Sequence, residues 1–442
     1  MKRKLKIAIV GGGSTYTLGL IKSLIAEKES FPLRELVLFD QDEQRQRIIA
    51  DAAAILLKEQ YGGNLTFRST TNLESACKDA DSIFVQIRTG GLEMRELDEK
   101  IPLSHGVVGQ ETCGPGGMAY GIRSIKDMTD LVRDIRAISK DAWILNYTNP
   151  AAIVAYALKR EFPDDSRILN ICDMPIAIMV SYAKLLGVDI WDLTADYFGL
   201  NHFGWFTKIE HKDGTDYTER LKELIIEEGF RPEDEEIAND VSWQETFAQA
   251  RQTLLDFPEY LPNTYLQYYL YPDKIVEKSN PTSTRAQQVI EGRQKRVHDM
   301  CRRIVTAGSA SAEDLKADIH GIFIIRAAAS LAYNLKNRYI VMVENNGIIP
   351  NLPSDAIVEV PALLTANGIH AFAVGEIPVF HKGLIEGQYA YERLVCEAYF
   401  EKDYRKLLQA MTLNRTVVDA DKAKRILDDL QKANEEYWPS FQ

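Results

Sequence analysis

Over the first two hundred residues, short apolar runs rich in branched and aromatic side chains alternate with amphipathic stretches. Lys6–Val10, Leu36–Phe39, Ser82–Gln86, Ala142–Asn146 and Arg167–Ile171 read as strands. Thr17–Ala26, Gln41–Glu59, Ile122–Ser139 and Pro150–Arg160 read as the helices between them, the last with proline at a favourable first-turn position. This regular alternation predicts a parallel sheet of the α/β class.

Beyond about residue 200 the rhythm loosens. Phe203–Glu210, Tyr339–Val343 and Ala356–Pro361 have strand character, whereas Gln287–Val305 and Asp314–Leu335 have the period of long helices. Strands and helices no longer interleave, which predicts an α+β lobe containing a partly antiparallel sheet. The acidic stretch Ile225–Asp240 reads as a solvated surface segment. No internal repeat, low-complexity tract or Pro/Gly/Ser linker separates the halves, so two closely packed lobes are expected, residues 1–197 and 198–442.

At 442 residues the chain can bury a full core without covalent staples. Its cysteines (Cys77, Cys113, Cys172, Cys301, Cys396) are odd in number and scattered, which suits free thiols in a reducing compartment and implies a cytoplasmic protein. The cationic start Met1-Lys2-Arg3-Lys4 is followed by an apolar run only as long as Leu5–Val10, a strand rather than a targeting signal. No window approaches the ~18–20 continuous apolar residues of a membrane span. A net charge of −12 argues against nucleic acid, whose binding rests on clustered Lys and Arg. A small anionic substrate stays open if arginines cluster locally.

Three segments carry chemistry. Lys6-Ile7-Ala8-Ile9-Val10-Gly11-Gly12-Gly13-Ser14-Thr15-Tyr16-Thr17 runs strand, glycine turn, helix start, the setting in which backbone N–H groups cradle a pyrophosphate. Gly11, Gly13, Ser14 and Thr15 are the candidate cofactor contacts; Tyr16 stands where the usual third glycine would be. Asp40, closing the second strand, is placed as the carboxylate for a ribose, and an acid there favours NAD over NADP. Cys172-Asp173-Met174-Pro175 follows an apolar strand, and Asn201-His202-Phe203-Gly204 lies some thirty residues on. Cys172 and His202 together would suit a borderline divalent ion, but two ligands make only an open site. Taken alone, a buried cysteine is more often inert core, Asp173 could be a simple helix cap, and the tyrosines of Leu261–Tyr269 read as packing.

Together with Gly109-Gln110-Glu111-Thr112-Cys113-Gly114-Pro115-Gly116-Gly117, Asn146-Tyr147-Thr148-Asn149-Pro150 and Asn263-Thr264-Tyr265, these segments closely resemble glycoside hydrolase family 4 along essentially the whole chain. The resemblance implies a Rossmann-like N-terminal domain and a C-terminal domain for substrate and oligomer contacts. It also implies glycoside cleavage with NAD and a divalent metal, most readily Mn²⁺, outside the usual two-carboxylate scheme. Cys-Asp-Met-Pro resembles the family members that cleave 6-phospho-α-glucosides such as maltose 6'-phosphate. By that likeness NAD would take hydride from C3 of the phosphorylated sugar, with the metal on Cys172 and His202. Tyr265 would remove the C2 proton, helped by Glu111 and the metal, and Asp173 would protonate the leaving oxygen. Water would add, and the hydride would return, giving glucose 6-phosphate without net NADH. Arg95, Asn149 and Arg285 match positions that hold the phosphorylated sugar, with Arg88 and Arg123 in nearby loops, and a homodimer or homotetramer is expected. The competing reading is a dehydrogenase of the malate or lactate type, which shares the N-terminal domain but makes NADH stoichiometrically. A non-catalytic NAD or redox sensor switched by Cys172 ranks last.

Overall fold

The computed structural model describes residues 2–232, 238–313 and 315–442. Residues 233–237 of the acidic stretch, and Asp314 at the expected start of a helix, lie outside the described residues.

Six strands form the parallel part of the main sheet: β1 (Leu5–Val10), β2 (Leu33–Phe39), β3 (Thr66–Thr70), β4 (Ser82–Val85), β5 (Trp143–Asn146) and β6 (Ile168–Asn170). Their spatial order is 3-2-1-4-5-6, so the sheet grows in opposite directions from β1 and leaves a crevice at the carboxyl ends of β1 and β4. β1 is buried along its whole length, because helices cover both faces, and its sequence LKIAIV is apolar at five of six positions accordingly.

The antiparallel strands expected in the second half divide between two sheets. β7 (Leu193–Leu200), β8 (Phe203–His211) and the short β9 (Leu261–Pro262) make a separate three-stranded sheet. β10 (Asn337–Glu344), β11 (Ile357–Thr365) and β12 (Gly368–Ala371) instead extend the parallel sheet to nine strands, joining it through the single register pair Met342 with Asn170. Periodicity reports that a strand exists but not which edge it joins, so this placement was invisible to it.

Helix 17–26 packs on helix 319–333, and helix 43–60 on helix 295–307. The other face carries helices 114–138 and 151–161, over which the C-terminal helices 379–401, 404–413 and 420–433 return. Their shared core includes Met118, Ile122, Ile153, Val395, Met411, Ile426 and Trp438. Helix 114–138 starts eight residues before the predicted Ile122 because the run Gly114-Pro115-Gly116-Gly117, a loop by composition, forms its first turn. A Cβ on Gly116 would sit 2.4 Å from the Gln110 carbonyl oxygen and 2.6 Å from that of Asp98, so glycine is what lets these backbones meet.

Candidate active site

The glycine turn is built as its sequence demands. Gly11 has φ +91°, and a Cβ there would lie 2.5 Å from the Gln86 carbonyl oxygen at the end of β4. Gly11 and Gly12 donate their N–H groups to the Phe39 carbonyl, and Gly13 donates to Asp40 Oδ2 at 2.9 Å. Asp40 also accepts from Arg45 Nη2 at 2.7 Å and from the Asp42 N–H at 3.1 Å. The carboxylate is thus buried beneath the loop and occupied by it; Asp42 and Arg45 face the adjoining cavity instead.

That cavity, about 480 Å³, runs from Gly13, Ser14, Thr15 and Tyr16 past Arg88, Arg95, Glu111 and Asn149 to Cys172 and Asp173. It is the crevice the strand order creates, and it brings most of the candidate residues to one place. Gln86 braces its floor, donating to the Gly11 carbonyl and to Thr17 Oγ1 and accepting from the Tyr147 hydroxyl.

Cys172 follows β6, and His202 sits at the tip of the hairpin between β7 and β8, whose two-residue turn holds it at φ +61°. Cys172 Sγ and His202 Nε2 are 3.3 Å apart. Donors bound at about 2.1 and 2.3 Å to one ion lie about 3.1 Å apart at a right angle and about 3.6 Å apart at a tetrahedral one, so the pair fits a shared cation. His202 is prepared for it. Thr112 donates its hydroxyl proton to Gln110 Oε1 at 2.9 Å and therefore accepts the Nδ1 proton of His202 at 3.2 Å, leaving the Nε2 lone pair toward Cys172. Burial lowers the imidazole pKa to about 4, so it is neutral, and pushes the Cys172 thiol well up, so a cation is needed to ionise it. Among the described residues no group of three or more His, Cys, Asp or Glu is arranged to hold a metal, which leaves the remaining positions to other oxygens.

Tyr265 stacks on His202, ring centroids 4.1 Å apart and 24° from parallel. Both hang on the small sheet, since β9 leads into Asn263, whose side chain accepts the Tyr265 N–H at 2.9 Å and donates to the Tyr197 hydroxyl. Burial drives the Tyr265 phenol pKa well up, and the neighbouring anion Glu111 raises it further. Glu111 is placed for a different contact. Although burial pushes it up, Arg88 at 2.6 Å and Arg95 at 3.1 Å hold its carboxyl down to about 2.

Asp173 meets His320, from the first turn of helix 319–333, with Oδ2 2.9 Å from Nδ1. Against burial, the His320 charge and hydrogen bond hold Asp173 down to about 2. Asp173 is therefore held as a carboxylate facing an imidazole, a pair across which a proton can be shared.

The arginines differ from a free basic cluster. Arg95 is shared between Glu99 and Glu111. Arg123 is buried on Asp98 and Asn434 and does not reach the cavity. Arg285 pairs with Asp240 at 2.9 Å and stands outside the cavity lining, though its neighbour Ala286 donates its N–H to Glu99. Sequence reasoning missed Thr112, His320 and Glu359. Thr112 lay inside a quoted motif. Glu359, buried in the apolar strand β11 and accepting from Asn201 Nδ2 at 3.1 Å, announced itself only as an acid on a core position.

Known proteins bear on this arrangement. The sequence model of family 4 glycosyl hydrolases matches residues 6–188, and that of the family 4 glycosyl hydrolase C-terminal domain matches residues 197–417. The phospho-α-glucosidase PagL of Clostridium acetobutylicum is 48% identical over 441 residues, 99% of each chain. The maltose-6'-phosphate glucosidase of Bacillus subtilis is 46% identical over 441 residues, covering 100% of this chain and 98% of that one. A crystal structure of a 6-phospho-α-glucosidase from gut microorganisms, in complex with NAD and Mn²⁺, superposes over 100% of both chains with a TM-score of 0.97 at 48% identity. With likeness of this extent along both halves, the chain belongs to the family 4 glycosyl hydrolases.

Proposed function

We propose that this chain hydrolyses α-linked 6-phosphoglucosides such as maltose 6'-phosphate to glucose 6-phosphate and an aglycone, using NAD and a divalent metal, with Mn²⁺ the leading candidate. The observation that carries the reading is the meeting, at one end of the crevice, of Cys172 and His202 at ligand spacing with the Asp173–His320 proton pair beside them. The names of the similar full-length proteins support the same substrate class and favour it over a malate- or lactate-type dehydrogenase.

In this reading NAD held along the crevice would supply a hydride acceptor for C3 and return the hydride later, and the metal would supply Lewis acidity to the sugar oxygens. Gly11, Gly13, Ser14 and Thr15 shape the cofactor end, and Asp40 holds that loop in place by accepting the Gly13 N–H. Cys172 and His202 would hold the metal. Tyr265, stacked on His202, would take the C2 proton, and a cation held by Cys172 and His202 would supply the pKa lowering that burial and Glu111 oppose. Glu111 would orient Arg88 and Arg95, and with Asn149 and Arg285 these would fix the phosphorylated sugar. Asp173, recharged from His320, would protonate the departing oxygen. We place the cofactor with residues 1–197 and the substrate wall and subunit contacts with residues 198–442, in a cytoplasmic homodimer or homotetramer. The buried free cysteines are compatible with a reducing compartment, and no helix among the described residues is long and apolar enough to cross a membrane.

The direct test is release of p-nitrophenol from the α- and β-anomers of p-nitrophenyl glucoside 6-phosphate, with and without NAD and Mn²⁺. Cleavage of the α-anomer that needs both additives supports the assignment. Stoichiometric NADH from a hydroxy acid, with neither anomer cleaved, overturns it in favour of the dehydrogenase.

A further inference from the structure

Tyr16 is unexplained by the usual glycine fingerprint. It replaces the third glycine, and 53% of it is exposed at the mouth of the crevice, unusual for a large aromatic side chain. Its partner comes from 277 residues away: the Arg293 guanidinium lies over the Tyr16 ring, 4.8 Å from the centroid, and donates from Nη1 to the phenol oxygen. Both residues line the cavity next to Gly13, Ser14 and Thr15.

The helix that carries Arg293 is locally overwide, which turns more of its residues toward the cavity. Arg293 lies in a π-helical turn, Ile290–Gln294, set between the α-helical segments 285–289 and 295–307. In an α-helix, residues five apart point about 140° away from each other, whereas a π-turn brings them onto one face. Here Val289 and Gln294, five apart, both line the cavity, and His298, one α-turn further, does so too. Arg293, four residues after Val289, lines the same cavity. Its charge is also available. Arg45 is committed to Asp40, and Arg88 and Arg95 to Glu111, but among the described residues no carboxylate pairs with Arg293; its partner is a neutral phenol.

We propose that Arg293, seated on Tyr16, is a clamp for the diphosphate of the dinucleotide, contributed by the second half of the chain across the glycine loop of the first. The proposal rests on the NAD reading above and deepens it. Backbone N–H groups of a glycine turn approach a diphosphate from one side only, and a guanidinium fork opposite them completes the enclosure with charge-assisted hydrogen bonds. A cofactor that recovers its hydride in every turnover gains from being retained, which gives such a clamp a use that it lacks in an enzyme that must exchange NAD for NADH.

The test is NAD and NADH binding by calorimetry and by stopped-flow release, on the full chain and on Arg293→Gln, Arg293→Lys and Tyr16→Phe, with thermal melting as the folding control. Loss of a charge-assisted contact predicts affinity weakened about 10- to 100-fold in Arg293→Gln, mostly through faster release, with melting unchanged. Arg293→Lys recovers part of the loss, since it keeps the charge but not the fork. Tyr16→Phe, which keeps the ring beneath the guanidinium, stays close to the parent. If the parent binds NAD and Arg293→Gln binds it within twofold, the clamp is wrong and the cofactor reading stands. If the parent itself fails to bind NAD, the cofactor reading falls and takes the clamp with it.

Discussion

Thr112→Val removes one hydroxyl while keeping the shape of the side chain, and its effect can be worked from the geometry. The hydroxyl proton goes to Gln110, so the oxygen accepts the Nδ1 proton of His202 at 3.2 Å and fixes the tautomer whose Nε2 faces Cys172. In the valine variant that N–H is either buried without a partner, at a cost of about 1–3 kcal/mol, or the proton moves to Nε2 and must be expelled again before a metal binds. Since about 1.4 kcal/mol is a factor of ten, metal affinity should fall about 5- to 150-fold, in the range found when such supporting hydrogen bonds are deleted. The measurement is Co²⁺ titration followed by the thiolate charge-transfer absorption, with Mn²⁺ competition. Thr112→Ser should restore most of the affinity. If a folded Thr112→Val protein binds Co²⁺ within twofold of the parent, the tautomer argument is refuted.

Other consequences follow from the same structure. Asp173→Asn and His320→Ala should each slow cleavage of maltose 6'-phosphate about 10²- to 10⁴-fold but affect the p-nitrophenyl substrate far less, because p-nitrophenolate leaves without a proton; equal losses on both substrates would exclude a leaving-group role. Arg123 and Asp98 form a buried pair tied to Asn434, so Arg123→Met should destabilise the fold by about 3–5 kcal/mol in denaturant titrations, and Arg123→Met with Asp98→Leu should recover much of it. An Arg123→Met protein as stable as the parent would show that the pair contributes nothing. Burial raises the Glu392 carboxyl to about 8, so the folded state holds a proton there that the unfolded chain has lost. Its contribution is present below the ordinary glutamate range and is lost as pH rises through about 8. Glu392→Gln should therefore flatten the fall in melting temperature between pH 6 and 9; an unchanged slope would mean that Glu392 is ionised throughout.

Five of the six parallel strands were legible because their signals are local; the edge strand β3, whose sequence TFRST is polar and only partly buried, was not. Lys6–Val10 announces a buried strand by composition, and Gly11 to Gly13 announce the turn that must follow it. What stayed hidden depends on contacts between distant segments. No period in the sequence says that β10 attaches beside β6, that helix 319–333 brings His320 to Asp173, or that Arg293 lies over Tyr16. The site divides in the same way. Cys172, Asp173 and His202 were nameable from motif and resemblance, and the structure places them together. The charge state of the cluster was not nameable: Arg95 and Arg285 looked like free cations until their carboxylate partners Glu99, Glu111 and Asp240 came into view.

The central claim is that the glycosidic bond is broken by transient oxidation and proton removal at C2, not by direct displacement. The decisive measurement is turnover of p-nitrophenyl α-glucoside 6-phosphate in D₂O with NAD and Mn²⁺, reading deuterium at C2 of the glucose 6-phosphate by NMR while following NADH at 340 nm. The account predicts one deuterium at C2, no net NADH, and loss of both turnover and C2 exchange in Tyr265→Phe. Product released at full rate with protium retained at C2 would contradict it.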